Sequence, residues 1–578
     1  MQTRNIPYIV AYRFIVLFVM ATALGVVVSL TAIAFIECVS WLNNILLIAP
    51  HARVQVLVQQ PWLLIAATLL VPTLGGLLVG LMLQKISPSK RPLGPPDAVW
   101  AVQLRQPLPS FRAGVVSTVA AIVSLGCGAS VGQYGPMVYL GSMAGNQLAR
   151  LKLQIPNLAS VAMACGVAAA IATAFNAPIA GLIFAHEVIL RHYSLQAFAP
   201  TTVASVTGYF MANVVFERPP LFLVEFAGVT HGYEFMLFAL MGVICGFLAV
   251  GFMKLILRAP KVAQATGLPP MFRPAAAGFV LGLVALGLPD VLGIGQEVLR
   301  FATIEGAFAH WELALLVVAK ILVTAMCVGF GFAGGVFSPS LLIGILFGAL
   351  FWMVLNFFGV PNSGIAVYAI CGMMALTSPV IGAPLTTILI VFELTRNYDL
   401  TIAAMVGVVF ANLLTYRLFG RSLFDVQLAS RGLNLSLGRD RGLLENAKVI
   451  DQKIDKSPVI LGPEQDASAA QQALVAAGRA EAIIIDEKGL YQGVVRLQDT
   501  QEYSDTAVMH ICDKAWPSFT ENTSIWQAML DLEDFVGEAI PVVQSTTGEL
   551  IGTVTEASLI NAYLSAVHDL RREENEAV

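Results

Sequence analysis

Charge is scarce in this chain. Only 12% of the 578 residues are Asp, Glu, Lys or Arg, against roughly 25% in soluble proteins, and 57% are apolar, which an ordinary water-soluble enzyme does not match. The scarcity is uneven. Residues 441–578 hold 23 acidic and 10 basic residues, a net of −13, whereas residues 1–440 hold 14 acidic and 23 basic, a net of +9. A weakly charged block followed by an acidic, normally polar one reads as a membrane domain joined to a soluble one. Cysteine is also sparse: Cys38, Cys127, Cys165, Cys245, Cys327, Cys371 and Cys512 stand singly, without paired or metal-type spacing, and are expected to be reduced core residues. The apolar stretch 14–36, preceded by Arg4 and Arg13, lacks a cleavage site of small residues and is expected to be retained as a first span. No Ser/His, Cys/His or metal-ligand set lies at membrane depth, which argues against an enzyme, and no Asp/Glu chain suits a proton relay.

Long apolar runs are what the chain does have. Stretches 14–36, 61–83, 235–257 and 313–329 suit full spans of about 20 residues. Stretches 113–126, 137–148, 159–175, 178–190, 340–356 and 384–394 are broken by Gly, Pro or Asn and are expected to fall short. Broken spans put non-helical backbone at membrane depth, which is tolerated where it is buried in protein or lines a cavity.

The breaks repeat. Asn176-Ala177-Pro178-Ile179, with Glu187 nine residues after the proline, recurs 206 residues later as Gly382-Ala383-Pro384-Leu385, with Glu393 nine after. Upstream, Gly132-Gln133-Tyr134-Gly135-Pro136 is followed 203 residues later by Gly335-Val336-Phe337-Ser338-Pro339. Two halves with matched broken helices point to a binding site between transporter repeats. A proline near each helix start turns N–H groups and the positive end of the helix dipole toward the gap, which suits an anion. The competing reading is close helix packing, for which Gly and Pro also serve. Glu187 and Glu393, late in their helices, read as a paired structural role or an interfacial position. His186 reads as a hydrogen-bonded helix residue.

At these residues the sequence resembles the ClC family of chloride channels and proton-coupled chloride exchangers, over about residues 10–430. The likeness is strongest at 166–187 (GVAAAIATAFNAPIAGLIFAHE), Gly334 to Pro339 and Gly382 to Tyr398. The resemblance implies a homodimer with one anion path per subunit. The fold expected is an all-α polytopic membrane domain over 1–440, with inverted halves of broken, tilted helices at about 10–220 and 230–430.

Four positions depart from the family pattern. Where its gate glutamate stands, this chain has Tyr134 after Gln133; a phenol, which ionises only near pH 10, stays neutral at physiological pH and acts by bulk or by donating its O–H. The inner proton-site glutamate of exchangers is Val188. The loop Pro92-Leu93-Gly94-Pro95-Pro96 puts Leu93 where a serine hydroxyl would meet the central ion, and Phe424 replaces a late tyrosine. The anion pathway so implied comprises Leu93, Gly94, Gly132, Gln133, Tyr134, Gly135, Val336, Phe337, Ser338 and Phe424, resting mainly on backbone N–H groups around Val336, Phe337 and Ser338. Weaker selectivity is expected.

After a linker at 441–450, two similar α/β units are expected. Strands 482–486 and 491–495 form the first, and strands 539–543 and 550–554 with helix 556–567 the second; Gly489/Gly493 and Gly548/Gly552 take matching places. The tail, 451–578, resembles tandem CBS domains, at about 451–505 and 506–570. Of the nucleotide-binding pattern each unit keeps half, Asp499 in one and Thr555 in the other, so an adenine nucleotide stays open beside a structural dimerisation role. The expected function is a passive, proton-uncoupled chloride or small-anion channel or uniporter in the bacterial inner membrane, with N-terminus and tail cytoplasmic. No cofactor, metal or nucleic acid is expected. The alternatives are an anion/proton exchanger with another proton route, through His186 or Glu187, and a non-conducting membrane sensor.

Overall fold

The computed structural model describes residues 6–575 apart from 152–154, 156, 219–227, 436–437, 453, 504, 534 and 536. The chain divides into two compact units, one up to residue 428 and one over 429–575. The first unit is helical. Its first half holds α1 (Ile6–Ile45), α2 (Pro50–Gln59), α3 (Pro61–Leu81), α4 (Pro95–Gln103), α5 (Phe111–Gly126), α6 (Tyr134–Ala149), α7 (Leu158–Phe175), α8 (Pro178–Phe184), continued by a π turn at Ala185–Leu190, and α9 (Leu195–Phe210). The second half holds α10 (Glu234–Ala265), α11 (Arg273–Gly287), α12 (Gln296–Phe301), α13 (His310–Gly329), α14 (Phe337–Phe357), α15 (Ile365–Ile381), α16 (Pro384–Thr395), α17 (Tyr398–Leu418) and α18 (Leu423–Ala429).

Among the described residues seven helical stretches are long and apolar enough to cross a membrane. Two of them, Leu158–Phe175 and Phe337–Phe357, correct the expectation of short segments at 159–175 and 340–356: with 18 and 21 residues they reach about 27 and 31 Å, near the thickness of a bilayer core. The glycines inside them do not break them, because each faces another backbone. A side chain at Gly141 would strike the carbonyl of Gly166, and one at Gly344 that of Gly372, so α6 packs on α7 and α14 on α15 at small-residue contacts in matching places. Tyr398–Ala429, made of α17 and α18, is a further stretch apolar enough to span, and it is absent from the spans expected above. At 40 residues, or about 60 Å, α1 far exceeds a bilayer core.

The repeated motifs fold alike. Asn176 and Gly382 both end their helices in the left-handed conformation (φ 57° and 72°), which Gly adopts freely and Asn tolerates, and the proline two residues on starts the next helix at a position where a missing N–H costs nothing. Glu187 and Glu393 then do the same work on opposite partners. The Glu393 carboxylate accepts the N–H groups of Ile179 (2.8 Å) and Ala180 (2.7 Å) at the start of α8; Glu187 accepts those of Leu385 and Thr386 (both 2.9 Å) and the Thr386 hydroxyl (2.7 Å) at the start of α16. The end of each helix therefore meets the start of its counterpart, and α8 and α16 run antiparallel, so the two halves are inverted with respect to each other.

The second unit carries α19 (Arg439–Asn446), β1 (Ile460–Leu461), α20 (Ala467–Ala477), β2 (Glu481–Ile485), β3 (Tyr491–Arg496), α21 (Leu497–Glu502), α22 (Val508–Ile511), β4 (Phe519–Thr520), α23 (Ile525–Asp531), β5 (Ala539–Val543), β6 (Leu550–Thr555) and α24 (Glu556–Asn575). Its sheets β1-β2-β3 and β4-β5-β6 share one plan, a parallel pair followed by an antiparallel pair with a bulge at the same place. Residues 441–450, read from sequence as a linker, carry most of α19 and bring Val449 into the core of Phe519, Ile540 and Val542.

Candidate anion pathway

The two glycine-rich breaks meet. Gly132 N–H donates to the Gly335 carbonyl (2.6 Å) and Gly335 N–H to the Gly132 carbonyl (2.7 Å), a reciprocal pair at equivalent positions of the two halves. Gly135 lies so close to Gly335 and Pro95 that a Cβ would stand 3.0 Å from one and 3.5 Å from the other, which brings the start of α4, with Gly94 at its cap, to the same junction. Helix α6 starts at Tyr134 and α14 at Phe337, each with proline at its third position. The first N–H groups of each, on Tyr134 and Gly135 and on Phe337 and Ser338, have no carbonyl of their own helix to donate to. Val336 caps α14 and is buried.

Rings fill this junction. Tyr134, 4% exposed, stacks on Phe175 with centroids 4.1 Å apart and meets Phe337 at 5.1 Å and 65°. Phe175 and Phe184 lie 5.3 and 6.3 Å from Phe337. Hydroxyls are few. Ser338 Oγ accepts the Gln133 N–H at 3.2 Å, and Leu93, buried, gives its own N–H to Ser117 Oγ at 2.8 Å.

Open space with several charged groups in its walls occurs at two places in this unit. A cavity of about 440 Å³ is lined by Gln133, Asn43, His51, Arg53, Asp290 and Glu297 among others, and the buried Gln133 Oε1 has no hydrogen-bond partner among the described residues. A second, of about 390 Å³, is lined by His186, Glu187, Arg191, Tyr193, Arg421 and Asp425. Phe424 is buried on α18, next to the Asp425 that pairs with Arg191 at 2.6 Å, and Val188 is buried in the π turn after α8. Both ring nitrogens of His186 are engaged, Nδ1 with the His192 carbonyl (2.8 Å) and Nε2 with Thr201 Oγ1 (3.0 Å).

Two kinds of residue escaped the sequence reading. Phe175 and Phe184 were inside the quoted motif, and the signal was an asymmetry: the second half has Ile381 and Ile390 at the matching places. The cations were the other kind. Lys320 is 1% exposed and donates from Nζ to the Val291 and Gly293 carbonyls (2.8 and 2.9 Å), while Arg218 faces Glu37 at 3.7 Å. No group of three or more His, Cys, Asp and Glu suited to a metal occurs among the described residues.

The voltage gated chloride channel family matches residues 75–416. The chain belongs to that family. Its members are channels and transporters rather than enzymes. The ClcB-like chloride channel protein of Ralstonia nicotianae is 32% identical over 400 residues, 67% of this chain and 90% of that protein. The H(+)/Cl(-) exchange transporter ClcA of Salmonella agona is 27% identical over 423 residues, 71% and 87% of the two chains. Among solved structures, a slow cyanobacterial Cl−/H+ antiporter aligns over 72% of this chain and 97% of its own with a TM-score of 0.64 at 23% identity. A eukaryotic CLC transporter aligns over 95% and 98% with 0.60 at 18%. The chain is thus an integral membrane protein of the ClC fold, with a CBS domain matched at 508–565.

The tail positions singled out from sequence are engaged locally. Arg496 grips both oxygens of Asp499 (2.9 and 3.1 Å), a pairing that also raises the Arg496 pKa, and Thr555 exchanges hydrogen bonds with Ser558 at the start of α24.

Proposed function

We propose that this protein is a passive chloride-type anion channel or uniporter, not coupled to protons, working as a homodimer in the bacterial inner membrane with its N-terminus and tail in the cytoplasm. The path runs from the cavity at Gln133, past the Tyr134, Phe175 and Phe337 rings and the open N–H groups of α6 and α14, to the cavity at Arg191 and Asp425. The unit up to residue 428 is the conducting domain, a boundary earlier than the 440 expected from sequence, and the unit over 429–575 holds the two CBS units. One observation carries the reading: the side chain packed at the start of α6 is a phenol among phenyl rings, and Val188 stands at the inner position, so neither place has a carboxylate to load and release a proton. His186 is tied at both nitrogens and Glu187 holds three donors, which leaves neither free to carry a proton as the exchanger reading requires. Asp499, occupied by Arg496, favours a structural tail over a nucleotide sensor.

The test is chloride efflux from proteoliposomes, with a potassium ionophore setting the voltage and a pH electrode in the same vessel. Voltage-dependent efflux without proton movement is expected; protons moving in fixed ratio to chloride would refute the uncoupled reading. The close ring contacts favour one further reading, a non-conducting sensor, which predicts no efflux from a folded dimer even after Tyr134→Ala.

A further inference from the structure

Resting on the transport reading above, we propose that the pathway selects weakly hydrated anions, of the class of thiocyanate and nitrate, over chloride and strongly over fluoride. An ion entering the junction gives up water and must be repaid by whatever lines it. Little there can repay. Tyr134, Phe175, Phe184 and Phe337 are each at most 4% exposed and pack on one another. Several backbone donors are already spent inside the protein: Gly132 on Gly335, Gly335 on Gly132, Gln133 on Ser338 and Leu93 on Ser117. What remains is the first turn of α6 and of α14, the Ser338 hydroxyl and the Tyr134 phenol. Leu93 and Phe424, buried and apolar, add no donor from their side chains.

With few donors on offer, the unrecovered cost of dehydration decides the order, and that cost falls as an anion grows and its charge spreads. The rings add to this bias. Aromatic faces carry negative and edges positive partial charge, and the 65° meeting of Tyr134 with Phe337 turns edge against face, a setting that a large polarisable anion exploits better than a small one.

The test uses the full-length protein in liposomes with fluoride, chloride, nitrate and thiocyanate as probes at equal concentration and clamped voltage, and the pH electrode kept in place. Thiocyanate and nitrate are expected to lead, with thiocyanate about tenfold ahead of chloride, equivalent to about 1.4 kcal/mol, and fluoride last. Chloride ahead of both overturns the inference, and without proton movement leaves the uncoupled reading standing. Thiocyanate-first flux with protons in fixed ratio does the reverse. No flux of any anion overturns both. Leu93→Ser with Phe424→Tyr, which adds two hydroxyls, is expected to lower the thiocyanate-to-chloride ratio at least threefold; an unchanged ratio in a folded variant overturns the assignment of the lining. Should that variant misfold, the wild-type order decides alone.

Discussion

The membrane unit and the tail are both built from two similar halves that bond to each other reciprocally, yet they end differently at the centre. In the tail, Asp455 and Thr553 exchange both backbone hydrogen bonds (2.8 and 2.9 Å), and Asp513 and Val494 do the same in the matching place (2.8 and 3.2 Å). In the membrane unit, Gly132 and Gly335 also exchange both, but the helices that follow them aim their starts at the junction instead of closing it. The second contrast is in the carboxylates. Glu187 and Glu393 are mutual caps, whereas the tail has a one-sided cap: buried Glu481 accepts the N–H groups of Glu538 and Ala539, and its ladder counterpart, Ala539, returns nothing. Duplication gives symmetry in both units; the donors left open at the starts of α6 and α14 are what the proposed anion path draws on.

This contrast can be broken at its strongest point first. Glu187→Ala leaves three donors at the start of α16 without their acceptor and is expected to cost about 3 kcal/mol, read as a lowered thermal midpoint in detergent, with Glu393→Ala costing somewhat less because it strands only two. Glu481→Ala is expected to cost roughly 2 kcal/mol, and to show as faster hydrogen exchange at 538–543 with the membrane helices unchanged. Tyr134→Ala removes the ring stacked on Phe175 and is expected to raise anion efflux about tenfold, a barrier change of about 1.4 kcal/mol; unchanged efflux would show that the rings do not limit passage.

The smallest effect concerns acid. Glu521 accepts the Ser545 N–H and hydroxyl (2.7 and 2.6 Å), and these bonds hold its pKa below the ordinary 4.5. A lowered folded-state pKa gives stabilisation that is present above about pH 4.5 and lost as pH falls through the lowered value. In Glu521→Gln, hydrogen exchange at 544–549 should therefore lose part of its acid dependence.

The halves, their breaks and the α/β tail are legible in the sequence because each is written as repeated Gly, Pro and Glu at fixed offsets. Stretches 159–175 and 340–356 are apolar enough to span, and they were misjudged because Gly166 and Gly344 look like interruptions until the backbones they face, at Gly141 and Gly372, are seen. Strands β1 and β4, two residues each, are too short to leave a periodicity. Tyr134 and Phe337 were found through the motif; Phe175 and Phe184 were not, because an aromatic residue in an apolar helix carries no mark of which neighbour it will meet. The pairing of Glu187 with Leu385 and of Glu393 with Ile179 crosses about two hundred residues, and no local pattern could announce it.

Those mutual caps also couple the two halves. The start of α8 has its acceptor in the second half, and the start of α16 has its acceptor in the first. A change at Glu187 or Glu393 therefore acts first on the half that does not carry it, and neither proline-started helix is complete until both halves have folded.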